Sequence, residues 1–437
     1  MSATRVLVAQ GPSQLIAALA AWESLAARPG AGKEAWDDVL VLGGFCASGQ
    51  AGQELDAVCR QVAKSWGFRR IVSTASQDSA FENGQLGFEA YIDSVVRQIG
   101  VTTVEQVYVC RNMQQLNEAV LFAWPRARKI CYGDLGMIDL NGTSWCKPTR
   151  TSGYPQVDEV ITHAPVEVTS GAFATFPLTC IPTACFLSAL TKASAAIKGL
   201  DAFCRQLMPP AARKTVLVCL SNLTEGGSVN SLEQELLLYE RCLEPYLEKG
   251  TFILLKGHPR ETRNQSGLLA ERLRSRNYDA RSLAGMSAVP IDLFANTLHV
   301  DLLLTLLSHS GVLWRLRQPK TDIMMGVAPE VIKEFVRPEA LAQFHLDESA
   351  ALTYLLTLMA TRWEFLPIRM ETLRRALKVA PAMPVLLKGR AAMDGDCLAD
   401  DPAADRFWHA ALGLDGWPRP SSFLRWLRSW SGLRRSD

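Results

Sequence analysis

Ile253-Leu254-Leu255-Lys256-Gly257-His258-Pro259-Arg260 is the stretch on which the fold turns. Three aliphatic residues in a row suit a strand buried on both faces, and Gly257 ends the run in a turn. That turn displays His258, a side chain whose ordinary titration lies near neutral pH. Upstream, Lys129-Ile130-Cys131-Tyr132-Gly133-Asp134-Leu135-Gly136 repeats the plan with a carboxylate as the displayed group. The two groups lie 124 positions apart, in separate halves of the chain. A carboxylate and an imidazole at strand ends suit two proton transfers, one from an attacking hydroxyl and one to a leaving phosphate.

Working outward, short apolar runs alternate with helical patterns on both sides. Arg5–Ala9, Val39–Leu42, Val107–Cys110 and Lys129–Tyr132 read as strands, and Gln14–Ala27, Leu55–Trp66, Phe88–Ile99 and Met113–Ala123 as helices. A second alternation begins at Thr215–Leu220. It continues through a helix over Val229–Leu247 and strands at Thr251–Leu255, Val300–Leu306 and Asp322–Met325; Glu348–Arg362 and Ile368–Val379 read as helices. Alternation of this kind predicts an α/β fold with parallel sheets covered by helices, and ligands at the carboxyl ends of the strands. The stretch from Gly142 to Pro210, punctuated by prolines, reads as an interdomain region with one helix over Cys185–Leu207. The expected organisation is two facing Rossmann-like domains, the GT-B arrangement. A first domain would span residues 1–195, a second residues 196–390, and a tail residues 391–437.

Composition narrows the function classes. At 437 residues the chain can bury two cores. A net charge of +2 gives no basis for general nucleic-acid binding. Eleven cysteines with no Cys-x-x-Cys pair point to reduced thiols in the cytoplasm. No run reaches the roughly 18 apolar residues of a membrane span, and Met1–Gln10 lacks the pattern of a secretory signal. The tail differs. Phe423, Trp426, Leu427 and Trp430 fall on one helical face with Arg425 and Arg428 opposite, which suits an anionic inner-membrane surface or docking on the protein itself.

Further groups cluster at predicted strand ends. Leu307-Ser308-His309-Ser310-Gly311 follows an apolar strand, and its hydroxyls and backbone N–H groups suit an anion or a simple helix cap. Asp292 opens a helical segment after Pro290, where capping and ligand binding compete. Glu225 follows the first strand of the second domain. Asp394-Gly395-Asp396 lies in a late acidic loop and reads as solvated, so no metal site is expected.

Taken in order, Tyr132–Gly136, Lys256–Arg260, Val289–Leu293 and Leu307–Gly311 resemble the acidic, His-Pro, Pro-x-acid and Ser motifs of bacterial sialyltransferases. The likeness is to the capsular polysialyltransferase-like and lipooligosaccharide sialyltransferase families, over roughly Lys129 to Leu313. It implies a GT-B fold and inverting, metal-independent transfer from a CMP-activated nonulosonic acid to a glycan, lipid-linked or protein acceptor. The donor is then a substrate, and no cofactor is implied. The resemblance makes Asp134 the base on the acceptor hydroxyl and His258 the acid toward the CMP phosphate. Ser308 and Ser310 would hold phosphate oxygens, and Asp292 the ribose hydroxyls. Lys256, Gly257, Pro259 and Glu225 would line the donor side. Three features depart from the family pattern: Leu135 follows Asp134, Gly257 stands where Pro is common before His-Pro, and Asp292 stands where Glu is common. Other readings are a transferase using CMP-Kdo or a UDP-sugar, and a non-catalytic GT-B-like binding or assembly protein.

Overall fold

The computed structural model describes residues 3–26, 36–43, 50–110, 115–132, 157–162, 166–167, 178–181, 183–208, 214–259, 261–305, 314–318, 320–325, 329–341, 368–369 and 385–387. The chain forms two compact units. The first comprises Met1–Ala202 and Ala288–Asn296, the second Phe203–Ser287 and Thr297–Asp437. The chain thus changes unit after Ala202 rather than at the expected 195/196, and returns briefly to the first unit through Ala288–Asn296.

In the first unit, β1 (Ala3–Ala9), β2 (Trp36–Leu42), β3 (Arg70–Ser73), β4 (Gln106–Cys110), β5 (Arg128–Tyr132), β6 (Glu159–Thr162) and β8 (Leu178–Cys180) form one sheet, ordered β3-β2-β1-β4-β5-β6-β8. Every pair in it is parallel. The two-residue β7 (Val166–Glu167) stands outside it. Val6–Ala9, Val39–Leu42 and Val107–Cys110 are buried, as continuous apolar runs require when helices cover both faces. Those covers are α1 (Pro12–Ala26), α2 (Gln50–Ser65), α3 (Ala75–Glu82), α4 (Phe88–Ile99), α5 (Gln115–Ala123) and α6 (Thr183–Ala196). The supposed interdomain stretch therefore supplies two strands to the sheet. Its single predicted helix is two, α6 and α7 (Leu200–Leu207), because Gly199 adopts φ +78° between them, a conformation that ends a helix.

The second unit has β9 (Thr215–Cys219), β10 (Phe252–Lys256), β11 (Asp279–Ser282), β12 (Leu302–Thr305), β13 (Asp322–Met325) and β15 (Val385–Leu387), ordered β11-β10-β9-β12-β13-β15. All neighbours are parallel except β13 and β15. Counted within the sheet this is the 3-2-1-4-5-6 order of a Rossmann sheet, with the last strand reversed. α8 (Leu232–Leu243), α9 (Gln265–Ser275) and α10 (Pro329–Phe335) pack on it through Leu236, Leu238, Leu269, Leu273 and Ile332. At the start of α8, the Ser231 hydroxyl accepts from the Gln234 N–H at 3.2 Å, and Gln234 Oε1 accepts from the Asn230 N–H at 3.1 Å. These reciprocal bonds satisfy amides that the first turn leaves open.

Each sheet reverses its strand order once, between β1 and β4 in the first unit and between β9 and β12 in the second. In doubly wound sheets ligands bind beyond the carboxyl ends of the strands at such a point. The expected α/β class with two parallel Rossmann-like sheets is what the chain forms. Among the described residues no helix is long and apolar enough to cross a membrane. The predicted helices at Glu348–Arg362 and Ile368–Val379 lie outside the described residues, save that Ile368–Arg369 is the short strand β14. The tail helix at 420–437 and the loop at 394–396 also lie outside them.

Candidate functional site

Strand β10 carries its apolar run into the core and delivers Lys256, Gly257 and His258 at its carboxyl end, beside β9. Lys256 is only 4% exposed. Its ammonium donates to the carbonyls of Gly257 at 3.0 Å and Ser287 at 2.6 Å. Burial pushes its pKa down to about 8, against smaller upward pulls from Cys219 and Glu261. Lys256, expected on the donor side, directs its charge to two backbone carbonyls. His258 and Pro259 are half-buried. The Glu261 N–H donates to the His258 carbonyl at 2.9 Å and closes a turn whose second residue is Pro259, a position that suits proline's fixed φ.

The loop after β9 lies at the same sheet edge. Glu235, fully buried on α8, accepts from the N–H groups of Leu223 at 3.2 Å and Thr224 at 2.8 Å, and from the Thr224 hydroxyl. Glu225, the next residue, is exposed and reaches the loop after β10. Its carboxylate accepts from the Thr262 N–H at 3.2 Å, the Thr262 hydroxyl, and Gln265 Nε2 at 2.9 Å. Glu261 completes the set, with Oε1 accepting from Ser266 N at 2.9 Å and Ser266 Oγ at 3.1 Å. Its pKa is raised, chiefly by burial, although the Ser266 bonds and Lys256 pull the other way. Three carboxylates therefore fix the loops after β9 and β10, the first of which leaves a strand of the β9/β12 switch point. Of these, sequence reading singled out Glu225 alone. Glu235 and Glu261 carry no motif; His258-Pro259-x-Glu261 is the one spacing that signals a closed turn.

Asp292 sits elsewhere. It lies in the 3₁₀ helix Ile291–Asn296, 3% exposed, in the segment that belongs to the first unit. That helix packs on α6, where the Ser194 hydroxyl donates to the Leu293 carbonyl at 3.0 Å. Sequence position alone puts Asp292 in the second domain; buried Ile291, Leu293 and Phe294 draw the segment to the first. Asp134, Ser308 and Ser310 lie outside the described residues. In sequence, Asp134 follows the end of β5 by two residues and Ser308 follows the end of β12 by three. No three His, Cys, Asp or Glu side chains gather as metal ligands among the described residues.

No protein-family model matches the chain, and no curated protein matches its sequence. Several solved structures are similar to it. UDP-GlcNAc 2-epimerase from Methanocaldococcus jannaschii, in complex with UDP-GlcNAc and UDP, is 12% identical with a TM-score of 0.43, covering 78% of this chain and 87% of that one. The Neisseria meningitidis enzyme bound to UDP-GlcNAc is 11% identical with a TM-score of 0.44, covering 87% and 93%. A spinosyn rhamnosyltransferase complexed with thymidine diphosphate is 12% identical with a TM-score of 0.42, covering 86% and 100%.

Proposed function

We propose that this chain is a glycosyltransferase of the GT-B type that uses a nucleotide-activated sugar, with the second unit binding the nucleotide. The observation that carries the reading is the position of the His-Pro turn. It leaves the carboxyl end of β10 next to the β9/β12 switch point, where Rossmann sheets take their ligands. The Ser motif belongs to the chain that leaves β12, the other strand of that switch point.

In this reading Asp134 takes the proton of the acceptor hydroxyl and His258 donates to the departing phosphate. Ser308 and Ser310 hold phosphate oxygens. The motif resemblance supports a CMP-activated nonulosonic acid as donor. A UDP-sugar is the second reading; UDP or UDP-GlcNAc is bound in the two epimerase structures named above. Acceptors would be a glycan, a lipid-linked sugar or a protein, and a membrane-surface role for the tail belongs to the same proposal.

Thermal shift with CMP, UDP and GDP separates the donors. Stabilisation by CMP alone supports the first, by UDP alone the second, and by none removes both. Asp134→Ala and His258→Ala should each lower transfer by about 10²–10⁴-fold while the protein stays folded. An assembly protein would keep its function in both.

A further inference from the structure

We infer that Glu261 is the positioning residue for His258, its carboxylate gripping the backbone of the His-Pro turn between Gly257 and the first turn of α9. The inference deepens the function proposed above, because it gives a role to a residue beside the presumed acid.

The grip has two sides. Glu261 Oε1 accepts both the N–H and the hydroxyl of Ser266, and the Ser266 hydroxyl itself accepts from Ser282 Oγ at 2.8 Å. Ser266 is fully buried, so this anchor is held by the core of the second unit. Glu261 Oε2 lies over Gly257. A Cβ built on Gly257 would fall 1.5 Å from Oε2 and 2.7 Å from Cδ of the same carboxylate. That oxygen is buried and accepts no hydrogen bond among the described residues, and it packs directly on the Gly257 backbone. The main-chain bond from Glu261 N to the His258 carbonyl closes the turn. His258 is thereby held from both sides, by the carboxylate against the residue before it and by the turn that ends in Glu261. Gly257 has no need of a left-handed backbone here; it is glycine because the carboxylate occupies the place of a side chain.

The test follows the imidazole itself. Full-length protein with histidine ¹³C-labelled at Cε1 gives six ring resonances to resolve, and His258→Ala assigns the one of interest. Glu261→Ala and Gly257→Ala are each expected to move the His258 resonance. In Glu261→Ala, adding Gly257→Ala should move it no further, because the clash is gone. Glu261→Gln keeps the acceptor for Ser266 and the side-chain length, and should leave the resonance in place. With a sugar nucleotide in hand, Glu261→Ala should lower kcat by roughly 100-fold with the nucleotide Kd little changed, and Glu261→Gln should restore it. An unmoved His258 resonance in Glu261→Ala, or independent and additive effects of the two substitutions, would overturn the inference. Failure of the wild type to bind CMP or UDP would remove the function proposal instead, and the resonance test would still decide the grip.

Discussion

Removing the carboxylate of Glu235 should loosen the loop after β9 more than any other single change at that sheet edge. Glu235 is 0% exposed and accepts three hydrogen bonds, from the N–H groups of Leu223 and Thr224 and from the Thr224 hydroxyl. A hydrogen bond to a charged group contributes about 1.5–3 kcal/mol, and a buried donor left unmade costs about 1–3 kcal/mol. Leu223 is 4% exposed, so its N–H has no ready water; Thr224 is half-buried and partly recovers. Summing without full additivity gives about 3–5 kcal/mol for Glu235→Ala, against the 5–15 kcal/mol that typically holds a domain. Glu235→Gln keeps one acceptor oxygen and should cost about 1–2 kcal/mol. Urea unfolding of the full chain reads the loss in the transition of the second unit. Hydrogen exchange reads it locally, with the Leu223 and Thr224 amides exchanging about 100-fold faster in Glu235→Ala. An alanine variant that unfolds like the wild type, with those amides equally protected, would refute the reasoning.

Two further outcomes follow from buried groups. Lys256 has its pKa lowered from 10.5 to about 8 by burial. Below pH 8 the folded and unfolded chains both hold its proton; between about 8 and 10.5 the unfolded chain binds more, so stability rises with pH by up to about 1.4 kcal/mol per unit. Lys256→Met should abolish that rise in denaturant titrations at pH 7.5 to 10, and a rise equal to the wild type's would contradict it. In the first unit, the buried Tyr132 hydroxyl donates to the Val8 carbonyl across the sheet. Tyr132→Phe should destabilise that unit by about 1 kcal/mol in the same assay, and no change would count against the bond.

How far the sequence speaks depends on burial. Strands β1, β2, β4, β5, β9, β10, β12 and β13 were legible because each is a contiguous apolar run at the centre of a sheet. Strands β3 and β11 lie at sheet edges; Arg70-Ile71-Val72-Ser73 and Asp279-Ala280-Arg281-Ser282 carry half-buried polar residues and show no such run. β6 and β8 are four and three residues long, among prolines, and only pairing with β5 and with each other identifies them. Helix α9 is preceded by Asn264 in a left-handed conformation and includes Gly267, so its pattern reads weakly. At the site, His258 was readable because a strand-end histidine is conspicuous. Glu235 was not, because its partners are backbone amides 11 and 12 residues away. The affiliation of Asp292 turns on packing against α6, a contact across 99 positions that no local pattern reports.

Amide hydrogen exchange with and without CMP or UDP shows whether nucleotide binds at the carboxyl edge of the second sheet. Nucleotide-dependent protection is expected over 220–224 and 257–262, the segments that leave β9 and β10, and is expected to be lost in His258→Ala. Protection confined to the first unit, or none at saturating nucleotide, would contradict it.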